Sequence, residues 1–182
     1  MKYKVLIFIT VSLWIIITRI YDVYETYLFM PNLDREINPL VKYLHVGWTG
    51  LLLVITLLVV YIIFSFYKFL FDKPLSLPKE NGLNFSEFFT TWYFGKKENW
   101  YKAFYKFPDT KRVHYFAGVF FASAISVAGL CTTLMWVLIK YTSWYYTKYH
   151  NIITLLIGFS FCFVPSLWYI QIMYKRYKLL TA

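Results

Sequence analysis

The sequence predicts an all-α polytopic membrane protein with four transmembrane helices, both termini inside, and short amphipathic helices between the second and third spans. Two observations predict this fold class. Hydrophobic residues make up 59% of the 182 residues and charged residues only 15%, against about 25% charged residues in a soluble domain. The charges are also absent from long runs of the chain. We therefore expect residues 1–182 to form a single membrane domain.

The first span is predicted over residues 5–29. Its uncharged part is short, because only 14 residues separate Lys4 from Arg19. Lys2 and Lys4 ahead of an apolar stretch also resemble a signal peptide, but no cleavage site of small residues follows. We predict an uncleaved anchor helix.

Three further uncharged runs cover residues 43–67, 115–139 and 151–174. A hydrocarbon core of about 30 Å needs roughly 20 helical residues to cross it. The runs lack the ten-residue alternation typical of a transmembrane β-barrel, so we predict helices. Asn38 followed by Pro39 indicates the helix start that leads into the second span.

The basic residues predict the orientation. Fourteen of the 19 lie at the two chain ends and between residues 68 and 112. The other five lie towards the opposite side, at Arg19, Arg35, Lys42, Lys140 and Lys148. The positive-inside rule therefore places both termini and the middle segment inside. The net charge of +10 fits this bias and attraction to anionic headgroups. We expect the lipid bilayer and other membrane-protein subunits as partners, and no nucleic acid.

The middle segment, residues 73–112, carries aromatic side chains at helical spacing with lysines between them. Gly95 and Pro108 are placed to end two short helices. Such helices suit the headgroup region, where rings bury and lysines reach water, although a docking platform for a partner protein is the alternative. The predicted interfacial residues are Phe85, Phe88, Phe89, Trp92, Trp100 and Phe104.

The third span carries a stripe of small residues, which lets helix backbones approach closely. The stripe is predicted to pack either within the bundle or against another protein. Two glycines of the second span, Gly47 and Gly50, are the predicted matching surface. The stripe itself consists of Gly118, Ala122, Ser126 and Gly129.

A polar cluster lies near the end of the first span. Arg19, Asp22 and Thr26 share one helical face, with Glu25 beside them. A charge at this depth costs about 1–3 kcal/mol unless it pairs or reaches water, so one interpretation is an ion pair that ends the span. The alternative is a cavity for a cation, a proton or a lipid headgroup, completed by Asp34, Arg35, Glu36 and His45.

Asp22-x-x-x-Thr26 at the end of one span, followed by Glu36-x-Asn38-Pro39 before the next, resembles a family of small bacterial integral membrane proteins of unknown function. The resemblance covers residues 15–65. It implies that Asn38 and the other motif residues act together, and it brings no known reaction. We expect the protein to lie in the bacterial inner (cytoplasmic) membrane rather than in an organellar inner membrane.

No enzyme signature is present. The sequence lacks H-E-x-x-H, G-x-S-x-G and the Walker A motif, and its two cysteines form no C-x-x-C pair. We therefore expect no catalytic residues, no metal and no cofactor.

These observations favour an accessory or scaffold subunit of a larger membrane assembly. The first alternative is a small transporter or ligand-binding protein that uses Arg19, Asp22 and Glu36. The second alternative is a membrane enzyme that acts on lipid.

Overall fold

The computed structural model describes residues 2–33, 39–142 and 161–181. Within these ranges the chain is helical and has no strand, as predicted. Its helices are α1 (Lys2–Phe29), α2 (Pro39–Leu44), α3 (Trp48–Phe71), α4 (Phe85–Phe94), a 3-10 helix (Trp100–Phe104), α5 (Thr110–Tyr141) and α6 (Val164–Thr181).

Three of the helices, α1, α3 and α5, are long and apolar enough to cross a membrane. They correspond to the first three predicted spans. Residues 151–160 of the fourth predicted span, 151–174, lie outside the described residues. Its last part forms α6, which begins at Val164 with Pro165 in its first turn and continues to Thr181. Proline suits this position because a first-turn amide has no partner within its own helix.

The predicted second span is interrupted near its start. A helix does begin at Pro39, but it ends at Leu44, and α3 begins only at Trp48. His45 between them has a φ of 50°, a left-handed conformation that ends a right-handed helix. α3 therefore contains most of the predicted span 43–67, from Trp48 onward, and continues to Phe71.

α3 runs antiparallel to α1. At one end, Lys4 Nζ donates to the Leu70 carbonyl over 2.7 Å, which satisfies one of the unpaired carbonyls at the end of α3. At the other end, Trp48 Nε1 donates to the Pro31 carbonyl over 2.7 Å. Between these contacts Ile15, fully buried, lies in a core with three other buried side chains, Ile62, Phe66 and Ala122.

The small-residue stripe of α5 packs within the bundle on two sides. A Cβ added at Gly118 would lie 2.8 Å from Phe69 Cβ and from the Ser65 carbonyl carbon of α3. A Cβ added at Gly129 would lie 2.8 Å from Thr18 Cβ of α1. Glycine at these two positions lets both neighbouring helices approach α5 closely.

Gly47 and Gly50 do not supply the matching surface. A Cβ at Gly47 would meet nothing within 4 Å, and one at Gly50 would meet only Val46 of its own segment. Both glycines lie at the start of α3, whereas the stripe meets α3 at Ser65, near its far end. This prediction is wrong because α3 and α5 run antiparallel, so that the start of α5, which carries Gly118, meets the end of α3.

A second core joins α4, the start of α5 and α6. Its buried side chains include Phe88, Trp92, Phe116 and Tyr177. The helix α4 begins with a capping box formed by Asn84 and Glu87. Because Phe88 is 0% and Trp92 1% exposed, the prediction that these two rings lie among lipid headgroups is wrong. They pack against protein instead.

Hydroxyl groups fix α6 to this core. The Tyr115 and Tyr169 hydroxyl oxygens are 2.6 Å apart and share a hydrogen bond between α5 and α6. The Tyr177 hydroxyl accepts from the Leu83 amide over 3.0 Å and donates to the Glu80 carbonyl over 2.6 Å. The chain before α4 is thereby tied to the last turns of α6.

The end of α4 is closed by an arginine from α5. Gly95 has a φ of 76°, and the Arg112 guanidinium lies against it while donating to the Trp92 carbonyl and to Asp109. A cation at the C-terminal end of a helix is favourably placed against the helix dipole. Arg112 therefore joins α4 to the start of α5.

Gly95→Ala is expected to destabilise the protein by about 2 kcal/mol. About 1 kcal/mol comes from the left-handed backbone, and a similar amount comes from displacing Arg112 from Trp92, since the new Cβ would lie 2.8 Å from the guanidinium. Gly82→Ala is the control, with a φ of 75° and nothing within 4 Å. SDS titration followed by tryptophan fluorescence measures both. Equal losses would show that Arg112 contributes nothing.

Candidate functional site

The predicted polar cluster lies between α1 and α5, and its partners come from α5. Arg19 Nη1 lies 3.2 Å from Asp22 Oδ2, and Arg19 Nη2 donates to Thr132 Oγ1 over 2.9 Å. The second Asp22 oxygen, Oδ1, accepts from Trp136 Nε1 over 2.9 Å. Arg19 and Asp22 are only 17% and 25% exposed. Charged and neutral donors thus converge on one carboxylate.

A second ion pair extends the cluster by one turn. Glu25, 4% exposed, lies with Oε1 3.7 Å from Lys140 Nζ. We call the six side chains together the polar tie. It consists of Arg19, Asp22 and Glu25 from α1 and Thr132, Trp136 and Lys140 from α5.

The spacing of the polar tie shows that α1 and α5 run in the same direction. Arg19 meets Thr132, Asp22 meets Trp136 and Glu25 meets Lys140. Steps of three residues on α1 and of four on α5 each keep side chains on one helical face. The two helices therefore present matched polar stripes to each other along about two turns.

The polar tie balances its own charge, since two cations face two carboxylates. In a low-dielectric surrounding an unpaired charge is costly, and pairing with added hydrogen bonds offsets that cost. Arg19 Nε is the exception, because it is buried and has no hydrogen-bond partner within the described residues. The arrangement holds two helices together and leaves one buried donor.

The other predicted members of the cluster do not join it. Thr26 Oγ1 donates to the Asp22 carbonyl of its own helix over 2.7 Å. His45 is exposed at the junction of α2 and α3. Glu36 and Asn38 lie outside the described residues, as do Asp34 and Arg35.

Sequence reasoning missed Thr132, Trp136 and Lys140. Their signal was present, because they recur every four residues in a largely apolar stretch. Such spacing puts three polar side chains on one helical face. The stripe pairs with α1, the helix whose charges need partners.

The predicted interfacial residues divide into two groups. Phe88 and Trp92 are buried, as described above, and Phe89 is partly buried. Phe85 and Trp100 are 40% and 61% exposed. Phe104 is the last residue of the 3-10 helix, and its side chain lies outside the described set.

An ionic cluster organises the chain around the 3-10 helix. Glu98 accepts from Lys102 and, over 2.7 Å, from Lys106, while its side chain is only 10% exposed. The hydrogen bonds from Lys102 and then Lys106 lower the pKa of Glu98 to about 2. In return, the Glu98 carboxylate raises the pKa of Lys102.

The stability contribution of Glu98 is expected to depend on pH. Its folded-state pKa of about 2 lies below the usual 4.5, so the contribution is fully present above pH 4.5 and is lost as the pH falls towards 2. Thermal unfolding of the wild type and Glu98→Gln should differ at pH 7 and converge near pH 2. Lys102→Met/Lys106→Met should show the same convergence. A difference that persists at pH 2 would contradict the pairing.

Comparison of the chain with protein-family models, with curated proteins and with solved structures finds no match. The resemblance based on Asp22, Thr26 and Glu36-x-Asn38-Pro39 stays a prediction. Function is therefore inferred from the geometry of this chain alone.

Proposed function

We propose that this protein is an integral membrane accessory or scaffold subunit that acts through helix–helix and interfacial contacts in a larger membrane assembly. The polar tie is the observation that carries the proposal. Arg19 and Asp22 pair on α1 and bond to Thr132 and Trp136 of α5. Glu25 pairs with Lys140 of α5, so the whole set has the arrangement of a fixed helix pair. Groups that perform chemistry or transport must instead exchange partners with a ligand.

The outward surface of α3 also supports a role in contacts. Four large aliphatic side chains along this helix are more than half exposed: Leu53, Leu57, Leu58 and Val60. Such a surface suits lipid chains or apolar helices of another subunit. We assign at least part of this α3 surface to contact with a partner subunit.

We further propose a four-span topology with both termini and residues 73–112 inside, in a bacterial inner membrane. The uneven distribution of lysines and arginines supports this orientation. The antiparallel arrangement of α1 and α3 agrees with the alternating direction of consecutive spans. The fourth span includes residues 151–174.

Purification in mild detergent tests the accessory role, and a stoichiometric partner is the expected result. A photo-crosslinking residue at Leu57, 61% exposed, should capture that partner, whereas the same residue at Ile62, 5% exposed, should not. A lone stable monomer that crosslinks from neither position would contradict the proposal.

A second candidate function is binding of an anionic ligand or headgroup in the polar tie. The buried Arg19 Nε without a partner in the described chain favours it. Arg19→Gln keeps a polar side chain but removes the cation, so it should abolish ligand-dependent stabilisation or flux. A folded Arg19→Gln protein with unchanged stabilisation and flux would remove this candidate.

A further inference from the structure

The chain after α4 exposes a dense set of aromatic rings. Between residues 96 and 107, four large rings are close to half exposed or more, and they are accompanied by four lysines and one glutamate. The rings are those of Trp100, Tyr101, Tyr105 and Phe107, with exposures of 47% to 82%. Exposed rings in such number usually meet something other than water.

The exposed rings belong to the second of the two amphipathic stretches predicted from the sequence, the one that contains Trp100. The central rings of α4, Phe88 and Trp92, are buried in the core that α4 forms with α5 and α6. The 3-10 helix and the loop that follows it therefore offer most of the exposed rings for contact with a membrane surface.

Glu98 fixes the shape of this segment. Its carboxylate binds Lys102 and Lys106, the positions four and eight residues later. These two ammonium groups are thereby held towards the protein. Trp100 and Tyr105, which alternate with them, remain exposed.

Two lysines at the start of the segment are more loosely held. Lys96 is 68% exposed and lies 4.0 Å from Glu98, and Lys97 is 65% exposed and lies 3.4 Å from Glu87. Exposed ion pairs of this kind contribute little. Both ammonium groups can therefore turn to an external anion.

The segment also lies close to the bilayer. It leads directly into α5 at Thr110, three residues before the apolar Val113, and three helical residues span about 5 Å. Aromatic rings and lysine side chains at this distance fall within the headgroup layer.

We propose that residues 96–107 form a binding surface for anionic phospholipid. Lys96 and Lys97 contact the lipid phosphates, and the rings of Trp100, Tyr105 and Phe107 insert at the headgroup level. Lipid binding at this surface does not depend on whether the protein is an accessory subunit. The ligand must be a lipid whose headgroup carries a phosphate and a net negative charge.

Tryptophan quenching by brominated lipid tests the proposal in full-length protein reconstituted into phosphatidylcholine bilayers. The Trp100 signal is the difference between the wild type and Trp100→Phe. Brominated phosphatidylglycerol should quench the Trp100 signal more strongly than brominated phosphatidylcholine at equal mole fraction. Each lysine that contacts a phosphate should enrich phosphatidylglycerol around Trp100 by about fivefold. Lys96→Gln/Lys97→Gln should remove most of this enrichment.

Trp168 provides the control, because it is 65% exposed on α6. Its signal, obtained with Trp168→Phe, should show the same enrichment in the wild type and in Lys96→Gln/Lys97→Gln. Equal quenching of Trp100 by both lipids would overturn the preference for anionic lipid. Quenching of Trp100 by aqueous iodide and by neither lipid would overturn the proposal and point to a soluble protein partner.

Discussion

Gly118→Ala is expected to destabilise the protein by about 3 kcal/mol, at the upper end of the usual cost of overpacking a core. The added methyl group would lie 2.8 Å from the Ser65 carbonyl carbon and from Phe69 Cβ. Neither atom can move unless the α3 backbone moves. The helices must separate, and SDS titration followed by tryptophan fluorescence measures the loss.

Gly47→Ala is the matched control for Gly118→Ala. A Cβ at Gly47 meets nothing within 4 Å, and its φ of −74° is open to any residue. This variant should unfold at nearly the same SDS concentration as the wild type. Equal destabilisation by the two substitutions would contradict the close packing of α3 on α5.

Asp22→Ala is expected to cost about 3 kcal/mol, because a largely buried arginine loses its counter-charge. Trp136 Nε1 loses its acceptor at the same time, whereas Arg19 keeps its bond to Thr132. Replacing both charged residues, as Arg19→Met/Asp22→Leu, should recover much of the loss, since paired apolar residues leave no buried charge. The free energy of unfolding in detergent is the measurement.

The exposed pair Lys68–Asp72 is the control for the polar tie. Its ammonium and carboxylate are 2.9 Å apart, but both side chains are 36% exposed. Asp72→Ala should therefore cost less than about 1 kcal/mol. If Asp22→Ala proves as mild as Asp72→Ala, the polar tie is a solvated pair and does not hold the helices together.

The helical class and the three long spans were predictable from the sequence, because uncharged length alone determines whether a helix can cross hydrocarbon. The stop at Gly95 was predictable for a local reason, since glycine readily adopts a left-handed φ. The break at His45 was not predictable, because no local rule places that residue in the left-handed region.

Partners across helices were much harder to predict than helix ends. Arg19 and Asp22 were identified as a pair, but Thr132 and Trp136 lie more than 100 residues away. The burial of Phe88 depends on where α6 docks. An aromatic helix face has the same sequence pattern whether it packs against lipid or against protein. Only the three-dimensional arrangement separates these two environments.

The long separation between the halves of the polar tie bears on how the protein is made. When α1 enters the bilayer during synthesis, Thr132 and Lys140 of α5 have not yet been translated. Arg19 and Asp22 are one turn apart on a single helix, so each neutralises the other before any partner arrives. The first span can thus insert with Arg19 and Asp22 already paired, whereas Glu25 gains its partner Lys140 only after α5 has been made.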